Sequence, residues 1–223
     1  MRRRVLAVMV AGLMVAGGAV FSQGAMAVPS LACTGPMSGT INANLFVPSG
    51  STCNLQGATV NGNVAVQPGG RLVVGGGSTI NGNLSSQSAG TDTTTNPFGP
   101  AESFSVVVCN SKITGTTIIS DSASQVLLGG TSVGGGGCGG NSFGNNVSLS
   151  DNHAAVIFSN NGGACAAPGG TCGVTGNVNI TNNTPGPVTV RGNVISGNLS
   201  CFGNGTVTSA GNTAKNKNGQ CPA

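Results

Sequence analysis

A short motif that recurs seven times is the feature that most constrains this sequence. Each copy opens with an apolar residue, continues through three small or polar residues, and then places apolar residues two positions apart. The opening residues are Ile41, Val60, Ile80, Ile113, Phe143, Val174 and Ile195. Three of the intervals between successive copies are close to one short period, and the other three are longer. The short interval of about 20 residues is one repeat and the longer intervals contain insertions, which is the pattern of a solenoid.

The later positions of each copy keep the same apolar register, with Thr117 and Ser86 as exceptions. Between copies lie further alternating runs, such as the one containing Leu72 and Val74. Alternation predicts strands with one buried face. A single repeat cannot bury that face, but repeats that stack with parallel pairing can, and each buried Val, Leu or Ile then contributes on the order of 1.5–3 kcal/mol. The sequence therefore predicts an all-β parallel β-helix of about seven three-strand coils, with the seven opening residues as an inward spine.

Asn and Gly recur at one bend of the predicted coil. The pairs are Asn61-Gly62, Asn81-Gly82, Gly176-Asn177 and Gly197-Asn198. These residue types adopt left-handed backbone conformations at low cost. Stacked asparagines can also hydrogen-bond to one another from coil to coil.

The segment 1–27 has the pattern of a secretion signal. Arg2, Arg3 and Arg4 precede an uncharged run from Val5 to Phe21, and Ala25-Met26-Ala27 is a small-x-small cleavage site. We expect cleavage before Val28, with an uncleaved membrane anchor as the alternative. The segment 28–223 then forms one β-helix domain, with cap regions at 28–53 and 201–223.

The net charge of that domain argues against nucleic acid as a partner. The full chain has 8 basic and 4 acidic residues. Removing Arg2, Arg3 and Arg4 leaves 8 − 3 = 5 basic residues and a net charge of 5 − 4 = +1. A nearly neutral surface has no basic patch for a phosphate backbone.

Cysteine spacing predicts disulfides between neighbouring coils. The spacing from Cys33 to Cys53 equals that from Cys201 to Cys221, and both match the length of one coil. The remaining expected pairs are Cys109–Cys138 and Cys165–Cys172, with Cys138–Cys172 as an alternative to the last. Paired thiols indicate an oxidising compartment, so we expect a secreted or cell-envelope protein. The chain contains one histidine and no C-x-x-C motif, and we expect no metal and no cofactor.

The sharpest chemical feature is a pair of carboxylates. Asp121 and Asp151 occupy equivalent repeat positions, Asn182 continues that column, and His153 follows closely. Two stacked carboxylates could share a proton, hold a calcium ion, or act as the acid pair of a glycosidase. The alternative is that this column is a turn in which Asp and Asn cap backbone amides.

Two further features are candidate binding surfaces. The insertions 85–103, 129–140 and 159–172 would form loops at the side of the solenoid, although they could equally be tolerated without function. Thr40, Thr59 and Thr79 would place hydroxyls outward on three consecutive coils. Such an array could order water as in β-helical ice-binding proteins, or it could reflect the strand preference of threonine.

The Val60-Asn-Gly-Asn-Val64 and Ile80-Asn-Gly-Asn-Leu84 repeats resemble those of right-handed parallel β-helix proteins. The ending Leu199-Ser-Cys201-Phe-Gly-Asn204 with Gly219-Gln220-Cys221 resembles a group of uncharacterised secreted β-helix proteins of actinobacteria. This resemblance implies export and a pectate-lyase-like superfold, but no activity. Lyases and hydrolases of that superfamily use clustered Asp residues with an Arg or Lys base, and Arg191 is not placed to serve Asp121.

These features favour a non-enzymatic structural or interaction surface, and the partner that we expect is cell-wall or extracellular polysaccharide. The alternative is a polysaccharide lyase or hydrolase that uses Asp121 and Asp151. A third possible function is ice binding through the Thr-x-Asn face. The oligomeric state is left open by the sequence.

Overall fold

The computed structural model of the protein describes residues 29–91, 103–131, 137–162 and 172–221, and these contain strands and turns but no helix. In chain order the strands are β1 (Ser30–Ala32), β2 (Pro36–Ile41), β3 (Asn44–Val47), β4 (Thr52–Val60), β5 (Val64–Val66), β6 (Arg71–Gly75), β7 (Thr79–Ile80), β8 (Leu84–Gln87), β9 (Phe104–Val108), β10 (Lys112–Ile113), β11 (Thr117–Ser120), β12 (Gln125–Leu128), β13 (Gly130–Thr131), β14 (Gly137–Cys138), β15 (Ser142–Phe143), β16 (Val147–Ser150), β17 (Val156–Ser159), β18 (Gly173–Val174), β19 (Val178–Thr181), β20 (Val188–Arg191), β21 (Leu199–Phe202), β22 (Val207–Ala210) and β23 (Lys217–Gly219). The predicted signal at 1–27 lies outside these ranges. Within them, no helix is long and apolar enough to cross a membrane.

Two large parallel sheets hold most of these strands. The nine-stranded sheet has the order β1-β3-β5-β8-β11-β16-β19-β21-β23. The twelve-stranded sheet has the order β18-β15-β10-β7-β4-β6-β9-β12-β17-β20-β22, with β2 also paired to β4. Strand β4 joins the two limbs of this sheet, because its end pairs with β7 and its start pairs with β6. We call the limb that contains β2, the end of β4 and the strands from β7 to β18 the spine limb, and the limb from β6 to β22 the middle limb. The arrangement is consistent with a parallel β-helix.

The seven opening residues of the repeat form one inward column on the spine limb. They pair directly with their neighbours, from Ile41 opposite Val60 to Val174 opposite Ile195. All seven are buried. The two polar exceptions in the other columns, Thr117 and Ser86, are buried as well. The repeat therefore specifies which side chains point inward even where their chemistry departs from the pattern.

The other inward columns continue the same core. On the middle limb, Leu72 lies opposite Val106, and Val106 lies opposite Val126. On the nine-stranded sheet, Leu45 lies opposite Val64. These columns belong to one continuous buried cluster that extends from Cys33 to Cys221. The apolar faces of successive repeats are thus buried against one another.

A second apolar cluster lies on the outer face of the middle limb, where strand alternation alone predicts solvent. Val73, Val107 and Leu127 are at most 2% exposed there, and they pack with Phe104 and the Cys109–Cys138 disulfide. Every residue of β9 is buried. A strand that is apolar at consecutive positions is typical of burial on both faces, and the runs at 106–108 and 126–128 carry that signal in the sequence.

Two disulfides join adjacent repeats at the ends of the described core. Cys33–Cys53 and Cys201–Cys221 have Cα separations of 5.2 and 5.5 Å, and all four residues are fully buried. These separations match the distance between neighbouring strands, as the spacing of the cysteines along the chain predicts.

The disulfide Cys109–Cys138 forms as predicted, but its two cysteines do not occupy equivalent places on adjacent coils. Cys138 lies on β14, which pairs antiparallel with β13, and both cysteines pack in the outer apolar cluster. The bond therefore fastens a small hairpin to the outer face instead of joining two stacked coils. It also excludes the alternative pairing of Cys138 with Cys172. Cys165 lies outside the described residues, so Cys165–Cys172 stays a prediction. The three disulfides found within the described ranges indicate an oxidising environment.

Asparagine ladders satisfy the buried polar groups at the bends. One ladder contains Asn141, Asn161, Asn193 and Asn212, and another contains Asn152, Asn183 and Asn204. Every carboxamide except the last in each ladder donates one hydrogen bond to the next asparagine Oδ1 and one to a backbone carbonyl, as Asn193 does to Asn212 and to Phe158. The predicted stacking of exposed asparagines is also present, from Asn42 through Asn61 to Asn81.

Ile119 and Ile118 provide a matched test of the inward register, because they are neighbours on one strand and face opposite ways. Ile119 is fully buried and Ile118 is 47% exposed. We expect Ile119→Ala to lower the free energy of unfolding by about 2–5 kcal/mol. Ile118→Ala should change it by about 0.5 kcal/mol or less. Equal losses in urea or guanidinium titrations would contradict this register.

The buried ladders are tested by comparing two asparagines. Asn193→Ala leaves more than one buried group without its partner, and each such group costs roughly 1–3 kcal/mol. We expect a loss of about 2–4 kcal/mol in the free energy of unfolding on that basis. Asn179→Ala, at an exposed position, is the control and should be nearly neutral. If the Asn193 variant were as stable as the control, the ladders would not support the fold.

Candidate functional site

Asp121 and Asp151 lie in a column of left-handed turn residues that directly follow the carboxyl ends of strands in the nine-stranded sheet. Their φ angles are 54° and 55°, and Ser88 and Asn182 have the same conformation at φ 54° and 55°. The amide of Asp121 donates to the carbonyl of Ser150, one repeat away. The two aspartates therefore occupy equivalent positions on adjacent repeats, as the sequence predicts. Asp and Asn tolerate this backbone conformation better than most side chains, so the bend alone accounts for their presence.

The carboxylate of Asp121 is held by two neighbours. Ser88 donates its hydroxyl to Oδ2 at 2.6 Å, and Nε2 of His153 lies 2.7 Å from Oδ1. The backbone amide of His153 donates to the Ser122 carbonyl, which fixes the approach of the ring. The hydrogen bond from Ser88, followed by that from His153, lowers the pKa of Asp121. Both side chains of the pair are at least half exposed, at 58% for His153 and 50% for Asp121.

This arrangement has limited catalytic chemistry. A serine hydrolase needs the serine hydroxyl to bond to the imidazole, whereas here Ser88 and His153 both bond to the carboxylate between them. Both oxygens of Asp121 are already engaged, which disfavours it as a nucleophile. Among the described residues, no three His, Cys, Asp or Glu side chains gather as metal ligands. The contacts are those of a solvated turn.

The outer face of the nine-stranded sheet adjoins this turn and carries two outward rows, which together we call the outer array. The central row contains Phe46, Ala65, Ser85, Ile118, Ser148, Asn179 and Ser200. The edge row contains Gln87, Ser120, Ser150, Thr181 and Phe202. Neighbours within each row are paired residues of adjacent strands, so they repeat at the strand spacing of about 4.8 Å. No member of the array carries a formal charge.

Polar side chains of the outer array are not engaged by the protein. Within the described part of the chain, the side chains of Ser148, Asn179 and Ser200 make no hydrogen bond, and the same holds for Ser150 and Thr181. The asparagine ladders differ, because their carboxamides bond to one another. Hydroxyl and carboxamide groups both donate and accept hydrogen bonds. The array therefore presents outward groups that are available to a ligand or to water.

Large apolar side chains interrupt these polar rows. Ile118 is 47% exposed and Phe202 is 51% exposed. Beside Ile118 lies a shallow depression of about 460 Å³, which is lined on this face by Gln67, Ser85, Gln87 and Ser120. The outer array thus combines polar groups with two separate apolar side chains.

The other candidate surfaces are less extended. Thr40, Thr59 and Thr79 do pair in register on the spine limb, but Lys112 and Ser142 follow them in the same row. The flat threonine row is therefore three strands wide. Of the predicted insertions, the parts at 92–102, 132–136 and 163–171 lie outside the described residues, so the insertions as binding loops stay a prediction.

Comparison with known proteins gives no relative from which a function could be transferred. The chain matches no protein-family model, no curated protein and no solved structure. The resemblance to secreted actinobacterial β-helix proteins therefore stays a prediction. The class of protein is defined by the fold alone, as an all-β, disulfide-bonded protein of stacked parallel strands.

Sequence reasoning missed the link between the turn column and the buried ladders. Each asparagine of the second ladder follows a left-handed residue: Asp151 precedes Asn152, Asn182 precedes Asn183, and Gly203 precedes Asn204. The signal was present as a recurring pair of Asp, Asn or Gly followed by Asn. It identifies Asp151 as a turn residue without reference to a partner carboxylate.

Substitutions at Asp151 separate a turn role from a chemical one. We expect Asp151→Gly to keep its stability, because glycine occupies the equivalent bend at Gly203. Asp151→Val should lose roughly 1–2 kcal/mol or more, because a β-branched residue is strained in the left-handed region. Chemical denaturation of both variants is the measurement. A Gly variant that is as unstable as the Val variant would mean that the carboxylate itself is needed.

Proposed function

We propose that this protein is a secreted or cell-envelope right-handed parallel β-helix of about seven three-strand coils, and that it acts as a non-enzymatic structural or interaction surface. The right-handed sense is supported by a general rule, since about 98% of crossover connections between parallel strands of one sheet are right-handed. The expected partner is a cell-wall or extracellular polysaccharide.

The outer array is the observation that carries this proposal. Its strands are bonded on both sides within one sheet, and its inward neighbours, such as Ile119 and Leu149, are fully buried. The outward groups are therefore fixed in position before a ligand arrives. Preorganised groups bind with a smaller entropic cost than flexible ones, which suits a surface whose function is adhesion or scaffolding.

An extracellular location is supported by two independent features. The terminal disulfides indicate an oxidising environment. The sequence pattern of the segment 1–27 favours export. Disulfides at both ends also restrict fraying of the terminal strands, which would help a stacked sheet to survive outside the cell.

A polysaccharide lyase or hydrolase remains the second candidate, because Asp121 and His153 do form a close pair at 2.7 Å. That pair could move a proton at the edge of a bound saccharide. The engagement of Asp121 by Ser88 and the turn conformation of both aspartates favour the non-enzymatic function over this one.

Retention on purified cell walls tests the proposal. We expect the folded protein to remain on walls through repeated washing and to release no soluble saccharide from wall or plant polysaccharides. The matched control is the same protein after reduction and denaturation, which should wash off because the outer array no longer exists. Retention is measured by pull-down, and saccharide release by a reducing-end assay.

Two results would contradict the proposal of a non-enzymatic protein that binds cell-wall polysaccharide. One is complete loss of the folded protein in the wash. The other is saccharide release that Asp121→Asn or Asp151→Asn abolishes, which would establish the enzyme instead, since Asn is compatible with the same turn.

A further inference from the structure

We infer that the outer array is a docking face for an uncharged polysaccharide chain, which would lie across the strands between Ile118 and Phe202. The inference rests on the proposed function and specifies its ligand class and the face that binds it. The described molecule offers three candidates for such a face: the outer array, the threonine row with Lys112, and the outer side of the middle limb. On the third, the outward residues from β6 to β12 are already buried in the outer apolar cluster.

The absence of charge on the outer array selects the ligand class. Between Ile118 and Phe202 the central and edge rows present hydroxyl and carboxamide groups and no Lys, Arg, Asp or Glu. An acidic polymer would have no cation to pair with there. The ionisable groups beside the edge row, Asp121, Asp151 and His153, lie at the bend, and none of them is a Lys or Arg. A neutral ligand therefore fits this face better than a uronate-rich polymer does.

The mixture of groups on the array favours a saccharide over a protein partner. A pyranose ring has an apolar face formed by its C–H groups and a rim of hydroxyls. Ile118 and Phe202 offer apolar platforms, and unengaged side chains such as Ser148, Asn179 and Thr181 lie on the two strands between them. Aromatic side chains bury large apolar areas against flat partners. The fully buried core of a protein interface is more apolar than the rest of a protein surface, and on this face Ile118 and Phe202 stand three strands apart with polar groups between them.

The dimensions are also suitable. Three strand steps separate β11, which carries Ile118, from β21, which carries Phe202, and this corresponds to about 14 Å across the strands. Phe202 lies in the edge row, two residues beyond Ser200, which is the residue in register with the row of Ile118. One strand step is similar in length to one sugar ring of an extended chain. Successive rings could then meet successive strands in an equivalent way. The depression beside Ile118 would accommodate the end of the bound stretch.

Two lysine substitutions at equivalent outward strand positions test the inference. Ile118→Lys introduces a charge into the outer array. Thr79→Lys introduces the same charge on the spine limb, where Lys112 already occupies the next position in register, so it is the matched control. The probes are insoluble cellulose and chitin as uncharged polymers and immobilised polygalacturonate as the acidic one. Binding is measured by depletion at low and high salt, and folding is checked by the melting temperature.

We expect the wild-type protein and Thr79→Lys to bind at least one uncharged polymer with an affinity that is independent of salt. Ile118→Lys should bind at least 10-fold more weakly while melting at the same temperature. Phe202→Ala should weaken binding in the same direction, which keeps the test informative if Ile118→Lys fails to fold.

Other outcomes overturn the inference and are distinguishable from failure of the proposed function. Retention on whole cell walls without binding to either uncharged polymer, or binding to polygalacturonate alone, leaves the proposed function standing but assigns another ligand. Equal affinity of the two lysine variants removes the outer array as the docking face. Loss of binding or of thermal hysteresis in Thr79→Lys alone would assign the activity to the threonine row.

Discussion

The structure depends on parallel pairing between equivalent residues of successive repeats. A single repeat has too little surface to enclose a core of its own. Its Ile, Val and Leu side chains become buried because the same side chains of the next repeat lie directly opposite, as Ile80 does to Ile113. This pairing holds across the long interval from Ile80 to Ile113 as it does across the short one from Val60 to Ile80. An insertion therefore lengthens the chain between two strands without changing which residues of those strands pair.

The same register governs the polar groups. An asparagine at a bend can bond to the asparagine above it only if both bends have the same shape, and the left-handed residue before each one provides that shape. Asn183 bonds to Asn204 because Asn182 and Gly203 share one conformation. The buried ladders and the apolar columns therefore stabilise one alignment together, and a slip of one residue would disrupt both.

The same regular pairing explains why the side chains of the outer array are held in fixed positions. A sheet whose inner face is filled and whose strands are paired on both sides has little freedom left, so its outward side chains are held at fixed spacing. In contrast, the contacts of Asp121 with Ser88 and His153 are made at an exposed bend. The fold thus places Asp121 and His153 at an exposed bend, whereas an uncharged, unengaged face lies at the centre of the nine-stranded sheet.

The sequence by itself determined the strands, the inward columns and the two terminal disulfides, because each of these follows from a period that can be counted along the chain. The hydrogen bond between Asp121 and His153, which belong to different repeats, was not predicted, because the sequence shows His153 only as a near neighbour of Asp151 along the chain. The apolar runs at 106–108 and 126–128 signal burial on both faces, but what covers the outer face and the position of Cys138 on a hairpin were decided by the tertiary structure alone. They depend on how insertions fold back over a sheet, and an insertion has no repeat partner whose spacing could reveal its path.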